Sequence, residues 1–104
     1  MSMVQVIENG TDIRCTVLER RPAASLPDYD ELTLRVDEAT SIAGLADLIS
    51  QRVGDTIDLR VARSLLPHGS LEGWQLSCRA KMAGPGVYMA EKDPPPERFR
   101  LTPP

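Results

Sequence analysis

Four stretches of this chain alternate apolar and polar residues, and this period-2 pattern constrains its fold most strongly. Such alternation is typical of strands that bury one face and expose the other to water. It predicts strands near residues 13–17, 32–36, 57–61 and 76–82, and an apolar run at 87–90 predicts a fifth. The chain therefore folds around a sheet.

One segment has helical spacing instead. Ser41 is placed to cap a helix, and Gly54 stands where a left-handed C-terminal cap belongs. Between them an apolar stripe recurs every three to four residues. This pattern predicts a helix over about 41–53, packed against the sheet. The stripe consists of Ile42, Leu45, Ile49 and Val53.

The two ends of the chain add further expectations. Asn9-Gly10 is typical of a hairpin turn and predicts an extra N-terminal strand over 3–8. Proline is frequent from residue 93 onward, which predicts a disordered tail. We therefore expect one domain over 1–92, a flexible Pro-rich tail over 93–104, and an α+β fold with one helix on a mixed sheet.

Charge and composition exclude several classes of protein. The net charge of −3 argues against a nucleic-acid binder, which needs a basic excess. No apolar run approaches a membrane span, and no secretory leader follows Met1. These observations predict a cytoplasmic protein, of bacterial type, that binds neither membrane nor nucleic acid. Cys15 and Cys78 form no metal-binding pair and are interpreted as small core residues.

Two segments resemble ubiquitin. Residues 33–54 (TLRVDEATSIAGLADLISQRVG) are similar to its second strand and helix, and residues 59–76 (LRVARSLLPHGSLEGWQL) are similar to a later strand and turn. The resemblance implies the β-grasp fold. The chain ends in Thr-Pro-Pro without the Gly-Gly that conjugated members carry, so it resembles a non-conjugated, adaptor-type member.

The alternation also predicts a candidate binding face. Arg14, Arg35 and Arg60 fall at outward positions, and Arg60 matches the centre of the recognition surface of ubiquitin. We expect this face to bind an acidic partner through bidentate arginine pairs. A solvated face with scattered charges is the alternative.

Further candidates lie on the predicted helix and in the tail. Ala43, Gly44 and Asp47 would form a face of small residues that allows close approach, either of a partner or of the loop at 22–29. Phe99 lies in a Pro-rich context and is interpreted either as part of a docking motif or as part of an inert tail.

The sequence therefore predicts a non-catalytic protein–protein interaction module, an accessory or adaptor subunit of a larger bacterial assembly. We expect a monomer or weak homodimer that needs no metal or other cofactor. The alternative is a small enzyme or ligand-binding protein with its site near His68 and the acidic loop at 28–31. No nucleophile motif accompanies His68, which favours the first interpretation.

Overall fold

The computed structural model describes residues 8–104 and shows six strands and three 3-10 turns, with no α-helix in that range. No helix among these residues is long and apolar enough to cross a membrane. The 3-10 turns cover Ser50–Arg52, Arg63–Leu65 and Pro96–Arg98. The strands are β1 (Thr11–Pro22), β2 (Tyr29–Ser41), β3 (Thr56–Ala62), β4 (Gln75–Gly84), β5 (Val87–Ala90) and β6 (Phe99–Thr102).

The first five strands form a closed mixed barrel. Their order is β1-β2-β3-β5-β4, and β4 pairs back onto β1. Only β3 and β5 are parallel, while the other pairs are antiparallel. The return of β4 beside β1 is a Greek-key connection. β6 lies outside this ring and pairs with the first half of β4. Closure pairs the edges that an open sheet would expose.

The core of the barrel follows from the alternation. Over residues 11–17, 30–36, 57–61 and 76–80, every second side chain points inward and is buried, which confirms the strands predicted from the sequence. The buried apolar residues of the four long strands are Ile13, Cys15, Val17, Leu32, Leu34, Val36, Ile57, Leu59, Val61, Ala62, Leu76, Cys78 and Ala80.

The two cysteines are free thiols within this core, as predicted. Burial raises the pKa of Cys15 to about 12, and burial likewise raises the pKa of Cys78. Because the thiolate is the reactive form, both cysteines are inert at neutral pH.

The helix predicted over 41–53 is wrong, and the α+β class fails with it. Residues 42–55 connect β2 to β3 as a loop that holds a single 3-10 turn. Gly44 has a φ of 84°, which a helix does not contain. The Asp47 carboxylate accepts bonds from the backbone N–H groups of Ile49 and Ser50, which gives the backbone an alternative to helical bonding. Ile49 is nevertheless fully buried. An apolar residue of the predicted helical stripe therefore packs into the core from a loop.

The predicted β-grasp fold is also wrong, because that fold requires a helix packed across the sheet. The ubiquitin-like pattern coincides with real structure only in its strands. Residues 33–36 lie in β2 and residues 59–62 lie in β3. Between and after these strands the chain forms loops and 3-10 turns, so a ubiquitin-like description does not apply.

The predictions for the two ends fare differently. Neither Asn9 nor Gly10 has the positive φ that a two-residue hairpin turn needs, and residues 3–7 of the predicted extra strand lie outside the described residues.

The prediction of a disordered C-terminal tail is wrong, because β6 pairs with β4. Phe99 and Leu101 of β6 pack against the core.

Candidate functional site

The outward side chains of β1, β2 and β3 form a charged surface, which we call the outer face. Arg14, Arg35 and Arg60 all lie on it, at the positions that the alternation predicts. Each of these arginines has a carboxylate of the same face within 4 Å. The pairs are Arg14 with Glu38 at 2.5 Å, Arg35 with Asp37 at 2.8 Å, and Arg60 with Glu31 at 3.8 Å.

Arg21 joins the strands of the outer face, a role that the sequence did not reveal because residues 20–30 show no alternation and are typical of a loop. Its guanidinium contacts Glu31 at 2.8 Å and Asp58 at 3.0 Å, and it donates to the Thr33 hydroxyl at 2.9 Å. The hydrogen bond from Thr33, together with that from Arg21, holds the pKa of Asp58 below its usual range. The cations of the outer face are thus already balanced by its own acids.

The candidates on the predicted helix are not on one helical face. Ala43 and Gly44 are exposed in the loop, and a Cβ added to Gly44 would meet nothing within 4 Å. The Asp47 carboxylate is occupied by hydrogen bonds from Ser50 and from the Thr11 hydroxyl. The bonds from Ser50, with smaller contributions from Thr11 and Ile49, lower the pKa of Asp47 to about 2. Phe99 lies apart from all three, in β6.

A cleft of about 590 Å³ opens where the loop after β1, the turn after β3 and the segment after β5 meet. We call it the arginine cleft. Tyr29 and His68 both line it, so the structure brings together the two parts of the alternative site predicted from the sequence. Arg20, Arg63 and Lys92 line it as well.

A buried carboxylate organises the arginine cleft. Asp30 points inward at the start of β2 and is 5% exposed. Its Oδ2 accepts from Arg20 Nε at 2.7 Å, and its Oδ1 accepts from Arg63 Nε at 3.0 Å. Burial alone would raise the pKa of Asp30, but the bonds from the two arginines outweigh burial and lower it. The acidic loop predicted at 28–31 is therefore not one acidic cluster.

A second cleft, of about 360 Å³, adjoins the first and is more apolar; we call it the apolar cleft. Leu45, Met89 and Ala90 contribute its apolar wall. Tyr29 and Lys92 line both clefts, so the two lie side by side. We refer to the arginine cleft and the apolar cleft together as the groove.

The cations of the groove differ in whether a carboxylate already contacts them. Five cationic and three acidic side chains line the groove, and in addition Asp30 contacts Arg20 and Arg63 while Asp12 contacts Arg79. Within residues 8–104, neither Lys81 nor Lys92 has a carboxylate within 4 Å. The groove can therefore accept an anionic, partly apolar ligand. The cations are Arg20, Arg63, Arg79, Lys81 and Lys92, and the acids are Asp28, Glu91 and Asp93.

Over the part of the chain that the structure describes, no three metal-ligating side chains come together. Comparison with protein families, with curated proteins and with solved structures gives no match. The fold defines the class: a five-stranded Greek-key β-barrel, an architecture that includes the OB-fold. Because one such scaffold hosts many functions, the function has to be argued from the groove.

Proposed function

We propose that the protein is a non-catalytic interaction module, an accessory or adaptor subunit that docks an acidic segment of a partner protein along the groove. The observation that supports this most is the pair of lysines, Lys81 and Lys92, without carboxylate partners beside the apolar wall. A ligand with acidic and apolar side chains satisfies both parts of the groove. Complementary charge would give such a contact its specificity.

The outer face is a weaker docking surface than the groove. Arg14 and Arg35 each already contact a carboxylate of the outer face, and that negative charge opposes the approach of an acidic partner. Among the described residues, no carboxylate lies within 4 Å of Lys81 or Lys92. The expectation of an acidic partner thus stays, while the groove replaces the outer face as the surface we favour.

The apolar surface is consistent with a monomer that binds its partner reversibly. Leu18 and Val53 are the large apolar side chains that are exposed among the described residues, at 40% and 47%. Obligate homodimers bury large, predominantly apolar interfaces. We therefore expect a monomer, and a partner contact that depends on salt.

A small anionic ligand in the arginine cleft is a second candidate. The cleft has the size of a small-molecule site, and Tyr29 and His68 supply polar groups at its wall. Thermal unfolding in the presence of anionic metabolites tests this candidate, because a ligand that binds only the folded state raises the Tm.

The test of the interaction module is affinity capture of the tagged protein from its native host, at low and moderate salt. Three versions are compared: the natural sequence, Lys81→Glu/Lys92→Glu in the groove, and Arg14→Glu/Arg35→Glu on the outer face as the matched control. We expect one stoichiometric partner that moderate salt weakens, and that only the groove variant loses. Retention by the groove variant, or no partner at either salt concentration, contradicts the proposal.

A further inference from the structure

The arginine cleft contains two guanidinium groups that share one carboxylate. Arg20 comes from β1 and Arg63 from the turn after β3, and each binds a different oxygen of Asp30 through its Nε. Two positive charges thus face one negative charge. Asp30 by itself therefore neutralises only one of the two arginine charges.

Protein contacts fix the orientation of both guanidinium groups. Arg20 Nη1 donates to the carbonyls of Pro67 at 2.6 Å and Gly69 at 2.9 Å. Arg63 Nη2 donates to the carbonyl of Tyr29 at 3.3 Å. A guanidinium held in this way has lost its rotational freedom before binding, which reduces the entropic cost of binding a ligand.

Each guanidinium also keeps a terminal nitrogen that is not used. Arg20 Nη2 and Arg63 Nη1 donate to no acceptor within the described residues. The side chain of Arg63 is 48% exposed, so water or a ligand can reach it. Planar N–H donors of this kind pair with planar oxygen acceptors.

The surrounding charges favour a monoanion over a dianion. Lys92 adds one positive charge to the cleft, but Asp28 and Asp93 line the same cleft and oppose further negative charge. Together with the two arginines and Asp30, the charges of the cleft sum to zero, so a phosphate dianion would add two uncompensated negative charges and a carboxylate only one. The charges of the cleft therefore fit a carboxylate better than a phosphate.

We infer that Arg20 and Arg63, oriented by Asp30, form a receptor for a side-chain carboxylate of the docked acidic segment. This inference rests on the proposed function, because the segment that lies in the groove supplies the carboxylate. Lys81 and Lys92 then attract the segment along its length, while the two arginines fix its position.

The first arm of the test uses the natural protein and needs no variant. The arginine Nε–Hε signals are followed by NMR while acetate or inorganic phosphate is added at constant ionic strength. We expect saturable shifts of the Arg20 and Arg63 signals with acetate and smaller shifts with phosphate. Tighter binding of phosphate, or no change at either arginine, overturns the receptor.

The second arm uses the peptide acetyl-Glu-Glu-Leu-Glu-Glu and the substitution Arg63→Lys, which keeps the charge and removes the planar donors. Affinity should fall at least tenfold, while Arg52→Lys, at an arginine of similar exposure outside the groove, should leave it unchanged. Amidation of the peptide C terminus should have little effect. Equal affinity of Arg63→Lys and the natural protein overturns the receptor, and a large loss on amidation overturns its assignment to a side-chain carboxylate.

The two proposals fail differently. If capture of the partner needs Lys81 and Lys92 but is unaffected by Arg63→Lys, the carboxylate receptor is wrong and the interaction module stands. If neither groove substitution changes capture, both are wrong. Thermal unfolding of each variant shows whether it is folded. If a variant is not folded, the NMR titration of the natural protein still decides whether the carboxylate receptor exists.

Discussion

The outer face and the groove both contain several basic side chains, but their charges are balanced in different ways. On the outer face, each arginine contacts an exposed or half-buried carboxylate of a neighbouring position. In the groove, two arginines share the buried Asp30, and Lys81 and Lys92 have no such carboxylate among residues 8–104. The number of cations on a surface therefore does not identify a binding site. What matters is whether the protein already satisfies them.

The largest expected difference between the two regions is in stability. Asp30→Ala should lower the free energy of unfolding by about 3–5 kcal/mol, because it leaves the largely buried Arg20 without its carboxylate. Asp58→Ala on the outer face should cost less than about 1 kcal/mol, since the Asp58 side chain is 52% exposed to water. Urea unfolding followed by the fluorescence of Trp74, the only tryptophan, measures both. Equal losses would remove the distinction between the regions.

The pH dependence of stability sharpens the same comparison. Asp30 and Asp58 both have a pKa below the ordinary value of 3.8 in the folded protein. A lowered folded pKa means that the stabilisation is present above the ordinary pKa and is lost as the pH falls through the folded pKa. The free energy of unfolding should therefore fall as the pH is lowered below about 4.

Two variants show how much each carboxylate contributes to this acid sensitivity. Asp30→Asn should flatten the dependence of unfolding on pH more than Asp58→Asn does, because only Asp30 is buried. Asp47, whose pKa is about 2, contributes to acid unfolding in both variants. Urea titrations at pH values from 5 to 2 provide the measurement. A steeper loss in Asp30→Asn than in the natural protein would contradict this account.

A smaller effect on stability tests whether the segment that contributes to the wall of the groove is a loop. Leu45 lines the apolar cleft and belongs to the loop over 42–55. The sequence predicted a helix in most of this segment. Gly44→Ala should destabilise the loop by about 1–2 kcal/mol, because alanine is strained at a φ of 84°. In a helix the same substitution would stabilise by up to about 1 kcal/mol. The sign of the change in urea unfolding distinguishes the two, with Ala43→Gly as a neighbouring control.

Much of the sheet was predictable, because alternation reports local burial directly. Apolar residues, among them Leu34 and Leu59, occur at every second position of their segments. Both segments form strands, as predicted. The loop over 42–55 was not predictable from its apolar spacing. That spacing is compatible with a helix, while Gly44 and the hydrogen bonds of Asp47 decide against one. Closure through β1 and β4 joins residues 59 to 69 positions apart, which no local pattern reports.

The candidate site was predictable only in part. The acidic loop and His68 were singled out as an alternative site, and Asp28, Tyr29 and His68 do line one cleft. The arrangement of Asp30 was missed, because an aspartate in a run of acids looks like a solvated residue. Its inward orientation follows from its alternation with Leu32 along β2, which is the signal that would have revealed it.

Photo-crosslinking in the native host tests the central claim most directly. A photoreactive phenylalanine replaces Tyr29, which lies where the two clefts meet, or Thr33, which lies on the outer face. We predict one discrete adduct from position 29, weakened by Lys81→Glu/Lys92→Glu, and no adduct from position 33. An adduct from position 33 without one from position 29 would contradict the account and return the binding site to the outer face.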